Sequence, residues 1–139
     1  MFKKILLPLD LTDKHKVVLQ AAAELAQQGG DEVTLLHVIE IIPSLSLEEG
    51  RDFYGRLERS ARSHLERLSR RLKKRKVPCR IEILYGNRAG QIALYAEEKR
   101  FDLLLLTSPI INPKQPGVGW GSLSFKVAIL ARCPVLLVK

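Results

Sequence analysis

At 139 residues and 15.7 kDa the chain has room for one hydrophobic core and not for two, so a single domain over residues 1–139 is expected. Its composition, 46% hydrophobic and 27% charged, is ordinary for a soluble globular protein, and no apolar run approaches the ~20 residues needed to span a bilayer. The net charge of +8 is concentrated in one place: residues 51–76 carry eleven Lys/Arg against three Asp/Glu, and the rest of the chain is balanced.

In chain order, "FKKILLPL" (2–9) has the short apolar pattern of a buried strand. Its basic-then-apolar start is like that of a signal peptide. The apolar stretch stops at Asp10 after five residues, short of the roughly 7–15 of such a segment and with no small-residue cleavage site, which points to a cytoplasmic chain. A helix follows, with Thr12 or Asp13 as N-cap, an apolar face of Val17, Val18, Ala21, Ala22, Leu25 and Ala26, and Gly29-Gly30 as the stop. "DEVTLLHVIE" (31–40) reads as a second strand. Its His37 is expected as a hydrogen-bonded strand residue and not a ligand; with His15 and His64 it shares no metal-ligand spacing.

After a loop through Pro43 and Ser46, the basic segment 51–76 places Phe53, Leu57, Ala61, Leu65, Leu68 and Leu72 at steps of three or four, the stripe of a long amphipathic helix. "VPCRIEILYG" (77–86) is a third strand, and "NRAGQIALYAEEKR" is a helix with Ile92, Ala93, Tyr95 and Ala96 as apolar candidates. "FDLLLLTS" (101–108) is a fourth strand, apolar enough to be covered on both faces. A helix over about 121–132 and a strand "PVLLV" close the chain. Cys79 and Cys133, 54 positions apart and in no metal or redox spacing, are expected as buried free thiols.

Strands alternating with helices give an α/β fold: an open, doubly wound, mostly parallel five-stranded sheet with four helices, Rossmann-like in plan. Ligands of such sheets bind beyond the carboxyl ends of the strands, where the strand order reverses. That rule points to "PLDLT" and "TSPIINPKQPGVGWGS". Catalytic patterns are lacking: no Ser/His/Asp set, no paired-carboxylate motif and no Walker-type Gly-x4-Gly-Lys-Ser/Thr, so a non-enzymatic protein is expected.

Three stretches together, "KKILLPLDLTDKHKVVLQAAAELAQQGGDEVTLLHVIE", "GNRAGQIALYAEEKRFDLLLL" and "WGSLSFKVAILARCPVLLVK", resemble the universal stress protein family over nearly the whole chain apart from the basic helix. The resemblance implies a small, usually dimeric, stress-associated regulatory or binding module, of which some members bind ATP and others do not. In ATP-binding members the acidic residue after the first strand, here Asp10, lies by adenine and ribose, and the residues matching Pro8 and Val38 flank the base. A glycine-rich loop after the fourth strand wraps the phosphates, and its closing Gly-Ser/Thr pair matches Gly121 and Ser122. Thr107 at the start of the loop and Leu123 after the pair complete the candidate cofactor-binding set.

This chain departs from that loop. Counted back from Gly121, the two upstream glycine positions hold Ser108 and Ile111; counted forward from strand four, they hold Thr107 and Ile110. Glycine there would let backbone N–H groups approach phosphate oxygens with no Cβ in the way. Pro109, Pro113 and Pro116 also remove possible donors, while Gly117-Val118-Gly119 supplies glycines elsewhere. A degenerate ATP site is therefore expected, its rival being a working switch whose 107–120 loop orders on the nucleotide.

Gly121 and Ser122 read either as phosphate contacts or as a helix N-cap. Asp10 reads either as a ligand-facing carboxylate or as a turn residue capping the first helix. Leu11 is expected to narrow the pocket, and Trp120 to pack beneath the loop. For the basic helix the readings are a solvated face or a dock for an acidic protein partner; without aromatic stacking residues no specific nucleic acid is expected, nor membrane insertion. The last strand, if it ends the sheet, exposes an edge, and the resemblance implies pairing of that strand across a two-fold axis in a homodimer.

Overall fold

Five apolar runs form five parallel strands. The computed structural model describes residues 2–29, 32–115 and 122–139. In chain order they form β1 (Lys4–Pro8), α1 (Lys16–Gln27), β2 (Glu32–Ile39), α2 (Arg51–Lys74), β3 (Cys79–Tyr85), α3 (Arg88–Glu98), β4 (Leu103–Thr107), α4 (Leu123–Leu130) and β5 (Val135–Val138). The strand order is β3-β2-β1-β4-β5, every pair parallel, so the direction of winding reverses between β1 and β4.

Alternation of side chains across the sheet divides the core in two. Ile5, Leu7, Val33, Leu35, Leu103 and Leu105 face α1 and α2, whereas Leu6, Leu36, Val38, Leu104 and Leu106 face α3 and α4. Because β1 is buried on both faces, its sequence reads as a continuous apolar run and not as an alternation.

Helix ends differ from the sequence expectation for identifiable reasons. Neither Thr12 nor Asp13 caps α1: the helix starts at Lys16, with His15 in the N-cap position and no side-chain cap bond. Asp10 instead takes the Thr12 backbone N–H and hydroxyl, which folds residues 10–14 into a turn of their own. The buried face is also rotated, so that Leu19 and Ala23 are inside while Val17 is 56% exposed. Gly29, at φ +124°, provides the expected stop; Gly30 lies outside the described residues.

In α2 the aromatic anchor is Tyr54, at 2% exposure, and not Phe53. Its hydroxyl donates to the Leu45 carbonyl at 2.7 Å and accepts from the Ile42 amide at 2.9 Å, pinning the 41–50 loop to the helix start. Gly50 makes that start possible, since a Cβ there would lie 2.8 Å from the Leu45 side chain and 2.9 Å from the Tyr54 ring. The expected stripe is otherwise present, with Ala61, Leu65, Leu68 and Leu72 buried and Phe53 and Leu57 partly so.

In α3 the buried positions are Ala89, Ile92 and Ala96, with Ala93 and Tyr95 only partly covered. Cys79 and Cys133 are free thiols but only half-buried, and burial raises the pKa of both. No helix among the described residues is long and apolar enough to cross a membrane.

Candidate functional site

Where winding reverses, the loops after β1 and β4 leave the sheet on opposite faces and open a cleft of about 410 Å³. Pro8, Asp10, Val38, Thr107, Ser122 and Leu123, which come from four separate stretches of chain, all line it. Gly121 belongs to the same expected set but lies outside the described residues, as do Pro116, the 117–119 glycine run and Trp120. Leu11 does not line the cleft and is 37% exposed, so it does not narrow it as the sequence suggests. The loop backbone turns Leu11 outward once Asp10 has bonded to Thr12.

Asp10 Oδ1 accepts three hydrogen bonds: from the Thr12 amide at 2.9 Å, from the Thr12 hydroxyl at 2.5 Å and from His15 Nε2 at 2.6 Å. Burial raises the carboxyl pKa, but the bonds from Thr12 and His15 and the nearby His15 ring outweigh it and hold the value at about 2. Asp10 is thus a turn residue, though its bonds go to the loop and not to the free N–H groups of α1; Oδ2 makes none of these three bonds.

His15 escaped the sequence reading. Its ring is 7% exposed, and while Nε2 meets Asp10, Nδ1 lies 2.8 Å from the Thr107 hydroxyl. A carboxylate, an imidazole and a hydroxyl therefore form a chain across the switch point, although they are scattered over 98 positions of sequence. No spacing motif could signal this, because α1 and β4 become neighbours only through the sheet order.

His37 also lines the cleft; its Nδ1–H donates to the Leu9 carbonyl at 2.8 Å, and burial lowers its pKa. The same wall carries Arg88, at the start of α3, whose Nε donates to the Val38 carbonyl at 3.3 Å. Lys14 lines the opposite rim. Arg88 follows Asn87, which caps α3 by accepting from the Gly90 amide at 3.0 Å. The "GNRAG" stretch thus delivers a cation to the cleft.

At the other end, Ser122 is the N-cap of α4: its hydroxyl accepts from the Phe125 amide at 3.3 Å and lies 3.2 Å from the Ser124 hydroxyl. After β4, the Ser108 amide donates to the Val138 carbonyl at 2.8 Å, and the Ser108 hydroxyl accepts from Lys139 Nζ at 2.9 Å. The first amide of the loop is therefore used by the sheet, and Pro109 after it has none.

The basic helix takes no part in this cleft. Its cations stand on the outer side, and among the described residues none of the Lys or Arg side chains of 51–76 forms an ion pair.

Comparison with known proteins agrees with this architecture. The sequence pattern of the Universal stress protein family matches residues 1–139. Universal stress protein YxiE of Bacillus subtilis is 28% identical, with the whole of both chains covered. The structure of protein MJ0577 is 28% identical, superposes with a TM-score of 0.84 and covers 100% of this chain and 96% of its own. A universal stress protein family protein from Arabidopsis thaliana, solved with AMP bound, shares the fold at 20% identity and a TM-score of 0.71, over 99% of this chain and 91% of its own.

Proposed function

The chain belongs to the universal stress protein family, and from that premise we propose that it is a non-catalytic regulatory binding module of the stress response, a single cytoplasmic domain over 1–139 whose cleft takes the nucleoside end of an adenine nucleotide and holds a triphosphate weakly or not at all. The observation that carries this reading is the unequal state of the two ends of the cleft. Pro8, Val38 and Asp10 line the cleft, and Oδ2 of Asp10 takes no part in the bonds to Thr12 and His15, which supports them as the residues that meet base and ribose. The AMP-bound plant relative lends weight to a nucleotide as the ligand class.

At the phosphate end, few backbone donors are open among the described residues. The Ser108 amide is taken by Val138 and Pro109 offers none, while the Ser122 hydroxyl accepts from the Phe125 amide as a helix cap and keeps its own hydrogen to donate. What favours an anion in the cleft is the N-terminus of α4, with Lys14 and Arg88 elsewhere on the lining, Arg88 beside the Val38 carbonyl and 3.9 Å from Glu40. Pro8, Asp10, Val38, Thr107, Gly121, Ser122 and Leu123 are the residues proposed to meet the ligand.

The Asp10–His15–Thr107 chain has the connectivity of an acyl-transfer triad, but such chemistry also needs paired N–H donors at the hydroxyl. The amide of the next residue, Ser108, is spent on Val138, which supports binding without turnover.

Calorimetry with adenosine, AMP and Mg-ATP at ~150 mM salt tests the proposal, because surface attraction is then screened beyond ~8 Å. The expected result is saturable binding of all three, with ATP within about tenfold of AMP. ATP binding a hundredfold tighter than AMP, lost in Ser122→Ala, would establish instead the switch whose 107–120 loop orders on the triphosphate.

A second reading concerns α2. Its unpaired cations favour an electrostatic dock for an acidic protein segment, independent of the cleft. For assembly we propose a homodimer through β5, supported by the exposed apolar side chains Ile129, Leu130, Leu136 and Leu137 on α4 and the sheet edge.

A further inference from the structure

We propose that His15 makes the cleft proton-responsive: when its ring is protonated, the Thr107 hydroxyl turns from an acceptor into a donor toward the ligand, so that anionic nucleotides bind more tightly as pH falls. This deepens the nucleotide reading above and rests on it.

Asp10 remains a carboxylate at every pH of interest and can only accept, so Nε2 must carry a hydrogen in both states of His15. The proton that titrates is therefore the one on Nδ1. In the neutral ring Nδ1 has a lone pair, and the Thr107 hydroxyl 2.8 Å away must spend its single hydrogen on it. Thr107 then shows the cleft only lone pairs, which repel a phosphate oxygen.

Protonation reverses that bond. Nδ1–H now donates to Thr107 Oγ1, and the hydroxyl hydrogen becomes free to rotate into the cleft that Thr107 lines. An anion gains a donor and a nearby positive charge at once. By reciprocity, the bound anion makes His15 hold its proton to higher pH.

From the loop that holds His15 come Asp10, Asp13 and Lys14, and from α2 His64, itself bonded to Arg67, which exchanges electrostatic influence with His15, Asp10 and Asp13. His37 of β2 and Arg88 of α3, the latter 3.9 Å from Glu40, line the same cleft, while α4 and its N-cap bring the uncharged Ser122, Leu123 and Ser124. Among the described residues the two ring nitrogens meet the Asp10 carboxylate and the Thr107 hydroxyl.

The test needs a ligand that does not itself titrate. Cyclic AMP, a phosphodiester, holds one negative charge throughout the range, and adenosine is its uncharged counterpart. Both are titrated calorimetrically from about pH 5.5 to about pH 8, spanning the ordinary histidine value of ~6.5. Cyclic AMP is expected to bind about tenfold tighter at the acid end, the worth of one charge-assisted hydrogen bond, and adenosine equally at both.

His15→Gln and Thr107→Val, the second of which keeps the side-chain shape, are each expected to flatten the profile. NMR titration of the His15 ring in the unaltered protein should show its midpoint rising when cyclic AMP is added. Binding without pH dependence would overturn this inference and leave the nucleotide site standing. A slope that survives in His15→Gln would assign the proton to His37 or His64 and also overturn it. No binding at any pH would remove both the site and the inference.

Discussion

The Arg67 guanidinium donates to His64 Nδ1 at 2.7 Å, and that bond fixes the state of the ring. A guanidinium has no acceptor, so Nδ1 keeps its lone pair, the imidazole is neutral and its hydrogen sits on Nε2. Nε2 is buried and has no hydrogen-bond partner. An unpaired buried donor costs about 1–3 kcal/mol. His64→Leu is therefore expected to stabilise the protein by about 1 kcal/mol in urea denaturation at pH 7.

The gain should grow in mild acid. Burial first, then the Arg67 charge, lowers the His64 pKa, so the unfolded ring takes up its proton before the folded one. Native stability is then lost as pH falls below ~6.5, and the leucine variant escapes that loss. A variant less stable than the parent at both pH values would show that Nε2 has an acceptor after all.

Asp10 has the opposite sign. Its folded pKa of about 2 lies below the usual 3.8, so its stabilising contribution is complete above ~4 and disappears as pH falls through 2. The side chain is 44% exposed, so solvent screening reduces the full linkage value to about 1 kcal/mol. Asp10→Asn should cost that amount at pH 7 and almost nothing near pH 2, as read from denaturation midpoints in the two buffers. An equal cost at both pH values would mean that the loss is of shape and not of charge.

Much of the fold was legible because two simple periodicities generate it. Buried runs such as "ILLP" and "LLLLT" read as strands covered on both sides, and the step of three and four from Ala61 to Leu72 read as a helix stripe. What escaped depends on contacts that no local pattern encodes. Tyr54 outranks Phe53 because the 41–50 loop folds back to supply Ile42 and Leu45 as partners for its hydroxyl.

At the cleft, Asp10 and Thr107 were visible as residues at the ends of strands that flank the point of reversal. His15 and Arg88 were not, since one precedes and the other opens a helix, and each reaches the cleft only through the angle at which that helix leaves the sheet. The amide of Ser108 is the clearest case. Whether it faces a ligand or a strand depends on the register Thr107↔Val138, which sequence cannot supply.

The apolar surface at the end of the chain makes a prediction about assembly. Ile129 is 67% exposed on α4, whose outer side also carries Phe125 and Leu130, and Leu136 is 42% exposed on β5, the last strand in the sheet order. Sedimentation of the unaltered chain should give a dimer, and Leu136→Lys should shift it toward monomer with a stability change within about 0.5 kcal/mol, as for any exposed site. If Leu136→Lys stays dimeric while a charge at Ile129 dissociates it, the contact runs through α4 and not through the β5 edge.

The basic end of α2 separates a dock from a solvated face. Arg71, Lys73 and Lys74 occupy the last turn, where each complements the helix dipole by about 0.3–1 kcal/mol at low ionic strength. Exchanging Arg70, Arg71, Lys73 and Lys74 for Gln should therefore lower stability by about 1–2 kcal/mol in dilute buffer, and the difference should shrink at ~1 M salt, where the screening length is ~3 Å. Adenine nucleotide binding should be unchanged, because none of these side chains lines the cleft. Affinity for an acidic peptide, measured by fluorescence anisotropy with poly-glutamate as probe, should fall at least tenfold if α2 is a dock. If poly-glutamate affinity is instead unaltered while the salt-dependent stability loss is seen, the charges of α2 act on their own helix and the electrostatic dock is excluded.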